Sequence, residues 1–197
     1  MAIYYLSDLH LLHRSVALRR GFPSVQDHDR ALLGNLRHRI GNSDTLFLLG
    51  DLFAYAYDDA LLRLLQGVCR CTVLIQGNHE TQHWLHKASP SLLAEVFADI
   101  REEAEIMDGD RLVRMCHQPR SDLYDGDPRT WLLHGHLHDQ PPRREDWKAL
   151  CAKPHVLNVS AEIGAYTTGR WGEPGTLDQW VFFNEVWKSR TAERDKR

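Results

Sequence analysis

Short apolar segments recur along the whole chain, and segments with helical spacing of apolar residues lie between them. Segments of four to five residues bounded by glycine, aspartate or asparagine are typical of strands, and their alternation with helices is typical of α/β folds. The sequence predicts strands at residues 3–7, 45–49, 71–75, 104–107, 112–116, 131–134 and 156–159. It predicts helices at 24–40, 59–66, 80–97 with an interruption at Pro90, and 176–188, with loops at 119–128 and 139–146.

The length of 197 residues fits one domain over residues 1–197, with room for a sizeable core. A formal net charge of −3 and 26% charged residues argue against an extended nucleic-acid surface. The four cysteines match no zinc motif or disulfide framework, and no apolar run approaches the roughly 20 residues of a membrane span. The first residues run directly into a predicted strand, so we expect a cytoplasmic protein without a membrane partner.

Polar residues that can bind metal follow the predicted strands at the point where each strand ends. Asp8, Asp51, Asn78 and His117 come directly after strands, and His136 follows two residues after another. The carboxyl ends of strands in α/β sheets are where ligand sites gather. Gly50, Gly77 and Gly135 lie in the same turns and allow the backbone to approach a ligand closely.

Two further imidazoles extend this set, because His10 is two residues beyond Asp8 and His138 is two beyond His136. Seven nitrogen and oxygen ligands exceed what one tetrahedral zinc ion needs, and they suit two divalent metals with room for water. Two ions about 3.5–4 Å apart can activate a water and hold both oxygens of an in-line displacement at phosphorus. The pattern therefore indicates a two-metal site, for which a displacement at phosphorus is one use.

Five sequence blocks between residues 8 and 138 carry a family resemblance. They are Asp8-x-His10, Gly50-Asp51, Gly77-Asn78-His79-Glu80, His117 and Gly135-His136-Leu137-His138. In this order they resemble the calcineurin-like metallophosphoesterase superfamily. His13, the Arg20-Gly21-Phe22 segment and Asn158-Val159 are similar to a small bacterial and phage subgroup of predicted phosphoesterases. The fold that the resemblance implies is a four-layer arrangement, a β-sandwich of two mixed sheets flanked by helices.

The resemblance also implies roles for individual residues. One metal would be held by Asp8, His10, Asp51 and His138, and the second by Asp51, Asn78, His117 and His136, with Asp51 bridging. His79 would be catalytic, facing the phosphate and helping the leaving oxygen depart, while a metal-bridging hydroxide attacks in line. Manganese is the expected metal for both sites, and iron, nickel, cobalt and zinc tolerate the same ligands.

Several residues near these blocks have less specific sequence contexts. His13, Arg20 and Arg120 are candidate substrate contacts, with Arg120 placed to pair with phosphate. Glu80 is predicted to support its turn, and His134 to be packed behind the ligands. The resemblance is incomplete at Gln118, where the subgroup has tyrosine, and at residues 167–170, where its proline is missing.

These observations predict a metal-dependent phosphoric ester hydrolase that acts on a phosphomonoester or phosphodiester. The expected substrate is a small phosphate ester, with nucleotides among the candidates. A nuclease or cyclic-nucleotide phosphodiesterase would use the same site. A catalytically silent binding scaffold is a further alternative, although such relatives typically lose the catalytic histidine or a ligand.

Overall fold

A computed structural model describes residues 1–194, and eight strands in that part of the chain form two four-stranded sheets. The first sheet contains β1 (Ile3–Leu6), β2 (Thr45–Leu48), β3 (Cys71–Ile75) and β4 (Asp99–Arg101), in that order and parallel throughout. The second contains β5 (Glu103–Asp108), β6 (Arg111–Cys116), β7 (Thr130–His134) and β8 (Val156–Asn158). In the second sheet β5 and β6 are antiparallel, and the other pairs are parallel.

The two sheets meet at the carboxyl ends of β1 and β8. The backbone N–H of Ser7 donates to the carbonyl of Val159 at 3.0 Å, and the N–H of Ala161 donates to the carbonyl of Ser7 at 3.0 Å. The strands of the first sheet are all parallel, so only the second sheet is mixed in strand direction, and an isolated antiparallel bridge joins Tyr5 to Gly175 outside the named strands. The predicted fold of two sheets flanked by helices is confirmed, and this junction brings the strand ends of both sheets together.

Seven α-helices of the described residues flank the sheets. They are α1 (Arg14–Arg19), α2 (Val25–Arg39), α3 (Asp59–Arg63), α4 (Pro90–Val96), α5 (Glu145–Cys151), α6 (Ala161–Thr168) and α7 (Leu177–Arg194). A π-helical turn covers Glu80–Trp84, and 3₁₀ turns cover Leu85–Lys87 and Ser121–Leu123. None of the helices within residues 1–194 combines the length and the apolar character that crossing a membrane requires.

The predicted helix ends follow from capping groups in the sequence. The hydroxyl of Ser24 accepts the backbone N–H of Asp27 at 3.0 Å and begins α2. The side chain of Gln179 accepts the backbone N–H of Thr176 at 3.0 Å, which is half of a capping box before α7. Ser89 caps α4, with Pro90 at its first turn, so the predicted helical segment 80–97 is divided there.

Four elements differ from the sequence prediction. Strand β4 and helices α1 and α6 were not predicted, and α5 begins within the segment predicted as a loop at 139–146. These elements have three to eight residues each. Hydrophobic periodicity needs a window of about 11 or more residues to identify a helix, so segments this short do not show it.

One apolar core runs between the sheets and beneath α2 and α7. Trp180 is fully buried, and its indole N–H donates to the carbonyl of Tyr5 at 2.8 Å. Trp187 is partly buried against the same core, so both tryptophans pack α7 onto it. Since α7 holds the β1 backbone from behind, the residues that follow β1 start from a fixed position.

Candidate metal centre

The structure brings the seven predicted ligands together at the junction of the two sheets. Three groups of side chains have ligand atoms within 4.8 Å of one another: Asp8 with His10 and His138, His10 with Asp51 and His79, and Asp51 with His117 and His136. The seventh predicted ligand, Asn78, has its Oδ1 3.2 Å from Nε2 of His117. The first sheet supplies the ligands up to Asn78, and the second supplies His117, His136 and His138.

Asp51 is central to the arrangement. Its Oδ2 lies 3.6 Å from Nε2 of His10 and 3.3 Å from Nε2 of His117, which belong to the two predicted ligand sets. His10 and His138 have their Nε2 atoms 3.2 Å apart. Donors with bonds of about 2.0–2.2 Å to one divalent ion have separations of this size, so the side chains fit a divalent metal site.

The backbone is unusual at five of the seven predicted ligands. Positive φ angles occur at Asp8 (59°), His10 (51°), Asp51 (53°), His136 (69°) and His138 (52°), and among the other non-glycine residues described only Leu12 has one. Residues in the left-handed region cost of order 1–3 kcal/mol each and persist where the surroundings determine them. Backbone strain is therefore concentrated in the turns that present the candidate ligands.

The three glycines predicted to permit close backbone approach do so. A Cβ at Gly50 would lie 2.5 Å from Nδ1 of His117, and one at Gly77 would collide with Oδ1 of Asp51. A Cβ at Gly135 would collide with the Ser7 hydroxyl and lie 2.6 Å from Oδ2 of Asp8. Any side chain at these positions would displace a candidate ligand.

Glu80 supports the turn that carries Asp51, as the sequence predicted. Its carboxylate accepts the backbone N–H groups of Asp51 (2.7 Å), Leu52 (2.8 Å) and Gly77 (2.8 Å), and the indole N–H of Trp84 (3.2 Å). Burial and the nearby Asp51 carboxylate raise the pKa of Glu80. Four donors on one buried carboxylate tie the Gly50 and Gly77 turns together.

Asp8 is fully buried and held by groups from the second sheet. Its Oδ2 accepts the hydroxyl of Ser160 at 2.8 Å and the backbone N–H of His136 at 3.0 Å. Burial alone would raise the pKa of Asp8, but the imidazoles around it, His138 foremost, hold that pKa well below its ordinary value. The carboxylate is therefore ionised, as metal binding requires.

His117 is fixed in the tautomer that a metal ligand needs. Its Nδ1 donates to the carbonyl of Leu49 at 2.7 Å, which leaves Nε2 directed at Asp51. Burial would lower the pKa of His117, but the bond to the Asp51 carboxylate raises it to about 9. A metal ion at Nε2 would displace a proton from this side chain.

Arg20 lies behind the candidate ligands. Its guanidinium donates to the carbonyls of Asp8 (2.6 Å) and Leu9 (2.8 Å), and to Oε1 of Glu162 from Nε (3.0 Å) and Nη2 (2.8 Å). The side chain is 1% exposed, which leaves no surface for the substrate contact that the sequence predicted. In this structure Arg20 is a supporting residue.

Glu162 and Asn158 complete the support, and Glu162 was not predicted from the sequence. Oε1 of Glu162 accepts Nδ1 of His138 at 2.9 Å, and the Asn158 amide donates to the carbonyl of His138 at 2.7 Å. Burial would raise the pKa of Glu162, but Arg20 and His138 lower it to about 2. The nearby Asn158-Val159 pair, similar to the subgroup, was the available signal for this segment.

His79 borders the candidate ligands. Its backbone N–H donates to Oδ1 of Asp51 at 3.1 Å, and its Nε2 lies 3.9 Å from Oδ2 of Asp51. The side chain is 13% exposed, and its buried Nδ1 has no hydrogen-bond partner among the described residues. Burial lowers the pKa of His79. The distance to Asp51 and His10 is also short enough for a metal ligand, a role that the resemblance does not assign.

Three other residues of interest lie around this group. His13 is half-buried with its ring centroid 5.8 Å from that of His10. Arg120 forms ion pairs with Glu103 and Asp122, so its charge is already matched and the structure does not direct it to the ligands. His134 is buried, with Nδ1 2.9 Å from the carbonyl of Gly135, in agreement with the predicted packing role.

A cavity of about 360 Å³ lies on the other side of the loop that carries His136 and His138. Its lining is mainly apolar and includes Leu137, Pro141 and Trp187, and none of the seven candidate ligands borders it.

Comparison with known proteins identifies the family of the chain. The sequence profile of the calcineurin-like phosphoesterases matches residues 1–186. The chain belongs to this family, and its clustered histidines and aspartates form a candidate site for a divalent metal.

Individual relatives are distant. An uncharacterized protein of Methanocaldococcus jannaschii is 27% identical over 173 residues, covering 83% of this chain and 84% of that protein. The Gene 66 protein of Mycobacterium phage D29 is 34% identical over 93 residues, 46% of each chain. A protein of unknown function from Aquifex aeolicus has a similar solved structure, with a TM-score of 0.59, 21% identity, and coverage of 84% of this chain and 92% of that one. The last likeness shows the fold alone.

Proposed function

We propose that the protein hydrolyses a small phosphomonoester or phosphodiester by in-line displacement with two divalent metal ions, manganese being the expected metal. Asp8, His10, Asp51 and His138 would hold one ion, and Asp51, Asn78, His117 and His136 the other. The observation that carries the proposal is the position of the Asp51 carboxylate between His10 and His117, at 3.6 and 3.3 Å. A carboxylate so placed can serve both ligand sets.

Two such ions, when bound, supply a water of lowered pKa and a positive clamp for the phosphoryl oxygens. The side chains that would hold these ions are themselves fixed by the rest of the chain. Asp51 is immobilised by His79 and by the turn that Glu80 holds, and Asp8 by Ser160 and His136. Because these groups are held before substrate binds, little reorganisation is needed during reaction.

His79 is proposed to act on the leaving oxygen. Burial favours the neutral imidazole before substrate binds, whereas an anionic phosphate beside it would favour protonation. In either form a ring N–H can donate to the leaving oxygen as negative charge develops there. Acid catalysis of this kind contributes roughly 10²–10⁴ in rate.

The presence of His79 and all seven candidate ligands in one group supports an enzyme over a silent scaffold. A nuclease or cyclic-nucleotide phosphodiesterase would use the same groups and differ only in what binds around them. The nuclease alternative is separated by a gel-shift assay with single-stranded oligonucleotides at two salt concentrations, because extended binding is strongly salt-dependent.

The test is hydrolysis of 4-nitrophenyl phosphate and bis(4-nitrophenyl) phosphate by protein loaded with Mn²⁺. We expect turnover of at least one ester, and His79→Ala should keep its bound metal while losing roughly 10²–10⁴ in kcat. His38→Ala, an exposed histidine on α2, is the matched control and should retain full activity. Inactivity toward both esters with Mn²⁺, Co²⁺, Ni²⁺ and Zn²⁺, or an unaffected His79→Ala variant, would reject the proposal.

A further inference from the structure

Four aromatic rings form a cluster beside the candidate metal centre. The ring of Tyr55 lies 5.2 Å from that of His79, 5.5 Å from His13 and 4.9 Å from His83, measured between centroids. Tyr55 is 64% exposed although it has three ring neighbours. The cluster therefore presents an uncovered aromatic surface directly next to the residue proposed to act on the leaving oxygen.

An open hollow of about 420 Å³ adjoins this surface. Its lining includes Leu12, His13, Arg14, Ser15, Leu18 and Tyr55. Leu18 is 54% exposed, so apolar side chains face solvent from both the helix α1 side and the Tyr55 side. A volume of this size is within the usual range for small-ligand sites, roughly 300–1,000 Å³.

Arg14 adds a cation at the rim of the hollow. Within residues 1–194 its exposed guanidinium has no hydrogen bond or ion pair, unlike Arg20 behind the site or Arg120 beside β5. A guanidinium offers planar, fixed donors to ring nitrogens, carbonyl oxygens or phosphate. The hollow thus combines ring faces, aliphatic side chains and one available planar donor.

We propose that this hollow binds the planar heterocyclic ring of the substrate's leaving group, so that the preferred substrates are nucleotides with the nucleobase against Tyr55 and His13. The inference rests on the proposed function, because it uses the same centre for the phosphate. From the interior outward, the side chains lie in the order Asp51, His79, Tyr55. Oδ2 of Asp51 lies 3.9 Å from Nε2 of His79, and the ring centroids of His79 and Tyr55 lie 5.2 Å apart. In the proposed complex the phosphate would lie at Asp51, the leaving oxygen at His79 and the base at Tyr55.

Stacking accounts for the composition of the hollow better than core packing does. Core aromatics of this chain such as Trp84 and Trp180 are fully buried, whereas Tyr55 lies beside three histidine rings and leaves most of its surface in water. A base can stack only on an aromatic face that is accessible in the free protein, and each stacked base adds measurably to affinity.

The experiment compares adenosine 5′-monophosphate with ribose 5-phosphate as substrates of the Mn²⁺-loaded full chain. Both release the same kind of primary alkoxide and differ in the base. We expect kcat/KM about tenfold or more higher for the nucleotide, mostly through KM. Tyr55→Ala should lower kcat/KM for the nucleotide about tenfold more than for ribose 5-phosphate, while Tyr55→Phe should retain the preference. Tyr166→Ala, which removes an exposed tyrosine from α6, is the matched control.

Equal kcat/KM for the two esters in the unmodified protein would overturn the inference, as would a Tyr55→Ala variant that loses activity equally toward both. A binding measurement separates this inference from the proposed function. Saturation-transfer NMR with adenosine, which has no phosphate, should show base contacts in metal-free protein and lose them in Tyr55→Ala. If no ester is hydrolysed but adenosine binds in this way, the proposed function fails and the aromatic subsite stands. Absence of adenosine binding rejects the subsite.

Discussion

Arg20 is buried beneath the turn that presents Asp8 and His10, and it carries a full charge there. Glu162 neutralises that charge through two donors of the guanidinium, and the carbonyls of Asp8 and Leu9 take further donors. His28 continues the network, with Nε2 3.0 Å from Nη1 of Arg20 and Nδ1 2.7 Å from Oδ1 of Asp29. The backbone of one candidate ligand therefore depends on a residue without access to substrate.

Replacing Arg20 by lysine should destabilise the protein, since an ammonium cannot reproduce the planar fork. We expect a loss of about 2–4 kcal/mol in urea unfolding of the metal-free protein, and weaker metal binding with KM unchanged. Arg19→Lys is the control, because Arg19 is 51% exposed and 3.7 Å from the same carboxylate. It should change stability by less than about 0.5 kcal/mol. A normal stability with a raised KM in Arg20→Lys would instead assign Arg20 to the substrate.

At the scale of elements, the turns after the strands decide where the candidate ligands point. The backbone at Gly50, Gly77 and Gly135 is so close to neighbouring side chains or turns that an added Cβ would collide with them. The Ser7 hydroxyl that a Gly135 side chain would strike is itself fixed, since Ser7 is buried and donates to the carbonyl of Leu49 at 2.7 Å.

Gly135→Ala should therefore push the side chains of Ser7 and Asp8 out of their present positions. We expect the free energy of unfolding to fall by about 2–3 kcal/mol and the metal affinity to decrease. Gly34→Ala makes the same change in the exposed interior of α2, where an added Cβ meets no atom within 4 Å. That variant should gain up to about 1 kcal/mol from helix propensity and bind metal normally. Both quantities are accessible from thermal unfolding with and without Mn²⁺. Similar behaviour of the two variants would contradict the packing assigned to Gly135.

Most of the strands and the turns that follow them could be predicted from short stretches of sequence. Strands such as 71–75, and the polar residues that follow them, are readable because the apolar run and the ligand are adjacent in the chain. The support from Glu162 was not readable, because Arg20 and Glu162 are 142 residues apart and α6 is too short to show periodicity. Because its partner Glu162 is so far along the chain, nothing in the sequence indicated that Arg20 is buried. Next to the exposed Arg19 it was therefore predicted to contact substrate.

At the scale of the whole molecule, the candidate centre lies where the two sheets meet. Asp8, Asp51 and Asn78 follow strands of the first sheet, and His117, His136 and His138 follow strands of the second. Bound metal would join the sheets at this junction and would also compensate the strained backbone of five ligands. Metal binding should consequently stabilise the entire fold.

Removal of metal with a chelator should lower Tm, and Mn²⁺ should restore it. A metal ion at about 100 times its dissociation constant raises the free energy of unfolding by about 2.7 kcal/mol. For a chain of this size that corresponds to a rise in Tm of roughly 5–10 °C. Asp51→Asn should lose most of this shift because both ligand sets include Asp51. The exposed Asp178→Asn is the control and should keep it. An unchanged Tm on addition of Mn²⁺ to chelator-treated protein would count against a metal-linked junction.

In the proposed centre the two ligand sets hold two ions with Asp51 between them. Anomalous diffraction from crystals grown with Mn²⁺ tests it most directly, because it locates each ion without reference to activity. We predict two peaks about 3.5–4 Å apart, one beside His10 and His138 and the other beside His117 and His136, with Asp51 contacting both. A single peak, or peaks away from these residues, would show that the seven side chains do not hold two ions in this way.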